Sequence, residues 1–266
     1  MQKRERMRSV LLPAARRDAL LDRLRRDGRL VVKDVALDLG LSEDSIRRDL
    51  RELDAAGLAV RVYGGALPAS PAVADYDTRA RVARDSKTRV AEAAVALIEP
   101  GATVLLDGGT TTLALVDALP RTFAGTLITH SPTIAAALLH HDAEVIMLGG
   151  RLFKHSAVAC GAAAAEAARG ISADVFFLGA TGVHPSAGLT TGDADEAAMK
   201  RVLAERAAET FVLASEEKLG AASRFGILPL DAVAGVVADL DGDAVLADEL
   251  TRAGARLIGT GSRRET

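Results

Sequence analysis

The chain has 266 residues, 49% of them hydrophobic and 26% charged, with a formal net charge of −3 and one cysteine. That length exceeds the usual single domain, so two domains are expected, at least one with a full core. Cys160 alone permits neither an intramolecular disulfide nor a cysteine-rich zinc site, and no apolar run approaches the roughly 20 residues of a membrane span.

The charge is unevenly placed. Residues 1–67 hold 15 Lys and Arg against 11 Asp and Glu, a net of +4, whereas the remainder holds 18 against 25, a net of −7. A basic front on an acidic body suits a front that meets a polyanion. Residues 1–12 read as a basic extension without the apolar stretch of a signal peptide, which points to the cytoplasm.

Pro13 prepares a helix start, and Leu20, Leu21 and Leu24 recur at helical spacing until Asp27-Gly28 stops the run. Residues 29–32 form a short extended link. Val35, Ala36 and Leu39 then define a brief second helix closed by Gly40. The stretch Leu41–Leu53 carries a fuller helix design. Ser42 is a good N-cap, Glu43 and Asp44 complement the positive end of the helix dipole, and Ile46, Leu50 and Leu53 make one apolar stripe. Ser45, Arg47, Arg48 and Arg51 lie off that stripe. A helix pinned by one face and presenting Ser45, Arg47 and Arg48 on the other is what a helix-turn-helix inserts into a major groove. Taken alone, a solvated amphipathic helix would look the same. Its surroundings add a glycine cap at Gly57 and then Leu58–Leu67, a two-stranded wing turning near Gly64-Gly65.

The run Gly40-Leu41-Ser42-Glu43-Asp44-Ser45-Ile46-Arg47-Arg48-Asp49-Leu50-Arg51-Glu52-Leu53, followed by Gly57 and Arg61-Val62-Tyr63-Gly64-Gly65-Ala66, resembles the signature of DeoR-type bacterial transcriptional regulators. Tyr63 departs from it, standing where the family usually has histidine. The resemblance implies a winged helix-turn-helix over residues 1–68, with phosphate contacts from Ser42, Arg61 and Tyr63 and with Ser45, Arg47, Arg48 and Arg51 facing the duplex.

Residues 69–78 are rich in Pro, Ala, Ser and Asp without clear periodicity and read as a linker. Beyond them, apolar runs at 103–106, 126–129, 144–148, 175–178 and 210–214 alternate with helical segments at 90–98, 132–139 and 196–208. Such alternation predicts a doubly wound, Rossmann-like α/β sheet over 79–266, with ligands at the strand C-termini. The clearest loop is Asp107-Gly108-Gly109-Thr110-Thr111-Thr112, where glycines allow close backbone approach and a helix N-terminus supplies positive potential. The same residues would also serve an ordinary Gly-Thr turn. Other small or polar loops follow other strands, namely Thr129-His130-Ser131, Gly149-Gly150-Arg151, Gly179–Gly182, Gly188–Thr191 and Lys218-Leu219-Gly220.

This series resembles the effector domain of the same regulators, related in fold to ribose-5-phosphate isomerase. By that resemblance Asp107 would hold sugar hydroxyls, Gly109, Thr110, Thr111 and Thr112 would cradle a phosphate, and Lys218 would offset its charge. His130 and Gly150 would complete the site, and Arg151, after a Gly-Gly turn, reads equally as an anion contact there or as an exposed loop charge. His130 stands where the family has asparagine, and Ser215-Glu216-Glu217-Lys218 replaces an Asp-Ser-Ser-Lys-like run. The expected protein is a cytoplasmic repressor of a carbohydrate catabolic operon, partnered by operator DNA and a phosphorylated sugar and self-associating as a dimer or tetramer, without cofactor, metal or membrane. The competing reading is a sugar-phosphate isomerase with a basic appendage. It would use Asp107 or Glu196 as the base and Lys218 to stabilise the enediolate.

Overall fold

The computed structural model describes residues 12–240 and 242–261, so residues 1–11 of the expected basic extension lie outside the described residues. The chain divides into two compact units, Met1–Ser70 with Gly220–Ala222, and Pro71–Leu219 with Ser223–Thr266.

In the first unit, helix α1 (Pro13–Asp27) starts on its proline, whose missing N–H is no loss in a first turn. It is followed by strand β1 (Leu30–Val31), helix α2 (Val32–Leu39), helix α3 (Glu43–Ala55) and the wing strands β2 (Ala59–Val62) and β3 (Gly65–Pro68). The strands pair antiparallel in the order β1-β3-β2, with Val62 opposite Gly65, so Tyr63 and Gly64 are the two turn residues. Leu20 and Leu24 of α1, Val35 and Ala36 of α2, and Ile46, Leu50 and Leu53 of α3 close one small core with Ala59 and Ala66 of the wing.

The second unit begins with structure where a linker was expected. Pro71–Val73 forms a 3₁₀ turn and helix α4 (Tyr76–Arg81) follows, capped by Asp75, which accepts from the Thr78 backbone N–H at 2.9 Å. The expected 90–98 helix is α5 (Arg84–Val95), begun a turn and a half earlier. Then come β4 (Thr103–Leu106), α6 (Thr110–Ala118), β5 (Thr126–Thr129), α7 (Pro132–Ala137), β6 (Glu144–Met147), β7 (Arg151–Phe153), β8 (Val158–Cys160), α8 (Ala162–Arg169), β9 (Ala173–Gly179), β10 (Gly182–His184) and β11 (Gly188–Thr191). Helix α9 (Ala194–Ala204), β12 (Ala207–Ala214), β13 (Phe225–Gly226), β14 (Gly235–Ala238), α10 (Ala244–Arg252) and β15 (Leu257–Gly259) complete it. Two expectations shift here. Gly188–Thr191 is a strand, and the 196–208 helix stops at Ala204 because Ala207 already pairs with Ala173 in the sheet.

Seven parallel strands run in the order β15-β14-β12-β9-β4-β5-β6. Side chains alternate across the pleat, so both faces carry a core. Val104, Leu106, Phe177, Leu213 and Val237 pack against Val90 and Ala94 of α5 and Leu115 of α6. Leu105, Phe176, Leu178, Val212 and Val236 pack against Ala164 of α8, Met199 and Leu203 of α9 and Leu250 of α10. Cys160 is buried in that second core, and burial pushes its thiol up to about 12. From β4 the chain winds one way through β5 and β6 and the other way through β9, β12, β14 and β15. The junction of β4 and β9 is therefore the topological switch point, where open α/β sheets bind ligands at the strand C-termini.

Candidate functional site

The first unit presents a basic surface built on α3. Ser42 accepts the Ser45 backbone N–H at 3.2 Å and its hydroxyl meets that of Ser45 at 3.0 Å, so both serines are engaged at the helix start. Beyond the other end Gly57 takes φ +70°, a conformation that favours glycine. Ile46, Leu50 and Leu53 are buried, and so is Asp49, which accepts from Arg16 Nε at 2.5 Å and Nη2 at 2.9 Å and ties α3 to α1. Arg47, Arg48, Arg51, Arg61 and Tyr63 are exposed, and Ser45 is half-buried. Arg47 leans on its own helix, 2.5 Å from Glu43 and 3.1 Å from Asp44. Among the described residues neither Arg48 nor Arg51 is paired with a carboxylate, which leaves two unneutralised charges on this face.

In the second unit, a cavity of about 30 Å³ opens at the switch point. From β4 and α6 come Gly108, Gly109, Thr110, Thr111 and Thr112, from the end of β9 Gly179, Ala180 and Thr181, and from the turn after β12 Glu217 and Lys218. Gly109 caps α6 at φ +109°, a backbone state L side chains rarely adopt, which frees the first N–H groups of the helix to face the cavity. Lys218 is buried and donates to Thr111 Oγ1 at 2.7 Å and to the Leu213 carbonyl at 3.3 Å. Burial pushes its ammonium down to about 8; the Glu217 carboxylate opposes that fall, and Lys87, Arg79 and Lys200 deepen it. A helix N-terminus, a hydroxyl and a desolvated lysine converging on one small space give it a chemistry that suits an anion.

Asp107 does not line this space. Its carboxylate is fully buried behind it, with Oδ1 accepting from the Gly108 N–H at 2.7 Å and facing His130 Nε2 at 2.9 Å. Oδ2 accepts from the Gly179 N–H at 2.8 Å and from Lys200 Nζ. Burial alone would raise this carboxyl, but Lys200 and His130 outweigh it and hold Asp107 well below the usual carboxylate range. With both oxygens occupied, the expected role of holding sugar hydroxyls is corrected to one of positioning: Asp107 fixes the backbones of both switch-point loops. His130 likewise moves out of the expected ligand shell. It is fully buried, and its Nδ1 faces the Ala159 carbonyl at 2.8 Å. Gly150 and Arg151 are not brought to the cavity either; Arg151 is exposed and pairs with Asp195 at 2.5 Å, because the 149–151 loop leads into β7.

The cavity also gains residues that spacing did not reveal. Ala72 comes from the segment expected to be a linker, Arg79 from the residue directly after it, and Ser156 from the β7–β8 turn. Glu196 and Lys200, which sequence spacing pairs as helix neighbours at i and i+4, form a buried contact at 3.4 Å against the cavity wall. Lys200 also donates to the Gly179 carbonyl at 2.9 Å, and Glu196 accepts from Thr191 Oγ1 at 2.6 Å. Arg79 and Lys200 carried no motif. Acid-base alternation around Lys200 was the one available signal, and it reads equally as a solvated helix face.

Two family models match the chain. The DeoR-like helix-turn-helix domain covers residues 16–71 and the DeoR C terminal sensor domain covers residues 82–240. The HTH-type transcriptional regulator GlpR of Haloferax volcanii is 31% identical over 93% of this chain and 98% of its own length. A putative aga operon transcriptional repressor of Escherichia coli O157:H7 is 32% identical over 91% of this chain and 92% of its own. Ribose 5-phosphate isomerase A from Methanocaldococcus jannaschii covers 51% of this chain and 54% of its own, at 20% identity and a TM-score of 0.39. No helix among the described residues is long and apolar enough to cross a membrane. Two models in the family's order, and full-length relatives above 30% identity, make this chain a member of the DeoR family of transcriptional regulators, a helix-turn-helix joined to a sensor domain.

Proposed function

We propose that the sensor unit binds a phosphorylated sugar in the cavity at the β4–β9 switch point and that occupancy releases the α3 face from operator DNA, so that the protein acts as a cytoplasmic repressor of a carbohydrate operon. The observation that carries this reading is the meeting of the α6 N-terminus, Thr111 and Lys218 in one desolvated space. Ser42, Arg61 and Tyr63 hold backbone phosphates in this reading, and Ser45, Arg47, Arg48 and Arg51 face the groove. Operator half-sites mirror a two-fold axis, so the regulator works as a homo-oligomer. The isomerase alternative loses one of its two candidate bases, because the oxygens of Asp107 are committed to Gly108, Gly179, His130 and Lys200, and keeps only Glu196, which is itself held by Thr191 and Lys200.

A melting screen of the full chain against a panel of sugar phosphates tests the reading. The right ligand at a hundredfold excess over Kd adds about 2.7 kcal/mol of stability, and Thr111→Val removes most of that gain. A variant still stabilised like the wild type places the phosphate elsewhere, and turnover of a pentose phosphate by the full chain returns the enzyme to favour.

A further inference from the structure

Four buried side-chain atoms among the described residues have no hydrogen-bond partner: Arg79 Nε, His141 Nδ1, Glu217 Oε2 and Ser223 Oγ. Two of the four, one donor and one acceptor, belong to side chains that line the switch-point cavity. Unpaired buried polar groups are costly and rare in folded proteins, so two beside one cavity mark positions that a ligand completes.

The acceptor is the more informative. The Glu217 side chain is 9% exposed; its Oε1 accepts from Ser215 Oγ at 2.9 Å and lies 3.6 Å from Lys87 Nζ. Oε2 has nothing. The phosphoryl group of a phosphate ester dianion offers only acceptor oxygens, which suit Arg79 Nε and Lys218 but repel a carboxylate. The ligand must therefore bring a donor of its own to Glu217. A hydroxyl fits better than an ammonium, because Lys87 already neutralises this carboxylate and Arg79 and Lys218 add further positive charge to the same space.

Resting on the phosphate reading of this cavity, we propose that Glu217 is a specificity residue that restricts the site to phosphate esters carrying a hydroxyl beside the phosphate, and so admits polyol and sugar phosphates while rejecting plain alkyl phosphates. A site whose buried acceptor is left unpaired by the wrong ligand discriminates strongly against it.

Calorimetric titration of the full chain at pH 7 with inorganic phosphate, n-propyl phosphate, glycerol 3-phosphate and 2-aminoethyl phosphate tests this. Wild type should bind glycerol 3-phosphate on the order of tenfold or more tighter than propyl phosphate, with the aminoethyl ester weaker than the glycerol one. Glu217→Gln should shrink the glycerol-to-propyl ratio to about threefold or less while propyl phosphate, which has no donor for a carboxylate, binds more tightly, since a negative charge has gone. A merely structural role would weaken all ligands together. Glu217→Ser supplies the same comparison if the glutamine variant folds poorly. Equal wild-type affinities for glycerol and propyl phosphate, a preference for the aminoethyl ester, or a variant that keeps the wild-type ratio each overturns the role of Glu217. Failure of wild type to bind inorganic phosphate or any ester overturns the phosphate reading itself.

Discussion

Lys218 holds a largely desolvated ammonium, and its proton is correspondingly loose. Burial brings it to about 8 against an ordinary 10.5, with the carboxylate of Glu217 opposing the fall and the cations Lys87, Arg79 and Lys200 reinforcing it. For folding, the sign follows from the lowered value: between about 8 and 10.5 the unfolded lysine keeps its proton and the folded one does not, so this group adds stability as pH rises through that window. For an anionic ligand the sign reverses. A phosphate ester is dianionic by pH 8, so the proton it needs is the lysine's, and affinity should fall about tenfold per pH unit above 8. Titrating inorganic phosphate from pH 7 to 9.5 checks the slope, and Lys218→Met should weaken binding and flatten it. Asp107 makes the opposite case, a carboxylate stabilised by its partners. Asp107→Asn leaves Lys200 with Glu196 as its one carboxylate beside the Gly179 carbonyl, so the loss should stay below the about 3–5 kcal/mol that a buried charge stripped of its partner costs. Chemical unfolding should register that loss with no ligand present, which separates a positioning residue from one that merely touches the effector.

Elements were legible in the sequence where periodicity and caps agreed. Helix α3 shows both: Ser42 caps it, Ile46, Leu50 and Leu53 pin it, and Gly57 ends it. Ser42→Ala should lower stability by about 1 kcal/mol and Ser42→Asp should restore it, because aspartate caps as well as serine; a thermal melt of the full chain reads both. Asp49 was hidden because a buried aspartate is explained only by Arg16, 33 residues away in the sequence. The five strands read as apolar runs all occur in the sheet, whereas β14 and β15, only four and three residues long and each ending or starting on glycine, do not stand out as runs. The helices erred at their ends. Ser86 and Lys87 sit in the first turn of α5 as buried polar residues, so an apolar pattern finds the helix only from Val90 onward. The site divides in the same way: the Gly-Thr loop announces itself locally, but Arg79 reaches the cavity from 29 residues before Gly108, a convergence that only the fold makes. Composition misled over 69–78, where small and polar residues build a 3₁₀ turn and a helix start, with Ala72 against the cavity.

For the whole molecule the size of the cavity matters as much as its chemistry. About 30 Å³ is room for a water or two and far less than a sugar phosphate requires. A sugar phosphate entering this cavity would have to move a wall, and the walls include Ala72 and Arg79, in the stretch of chain that continues directly from the helix-turn-helix unit. A ligand that binds only an opened form shifts the population toward it, by no more than its differential affinity for the two forms. If the opened form holds operator DNA less well, the coupling is reciprocal by thermodynamic necessity: whatever factor the effector removes from DNA affinity, DNA removes from effector affinity. The size of that shared factor is what an experiment reads. With an operator duplex recovered by selection from random sequence and a sugar phosphate found by melting, the effector Kd should rise in the presence of saturating DNA by the same factor as the DNA Kd rises in saturating effector, on the order of 5- to 150-fold. Arg48→Ala should weaken DNA binding by about 1–3 kcal/mol while leaving the free-protein effector Kd unchanged, whereas Thr111→Val should leave DNA affinity intact and abolish the response. A shared factor of one, with the effector bound, would mean that occupancy of the cavity and DNA binding are uncoupled, and would remove the cavity as the control point of the α3 face.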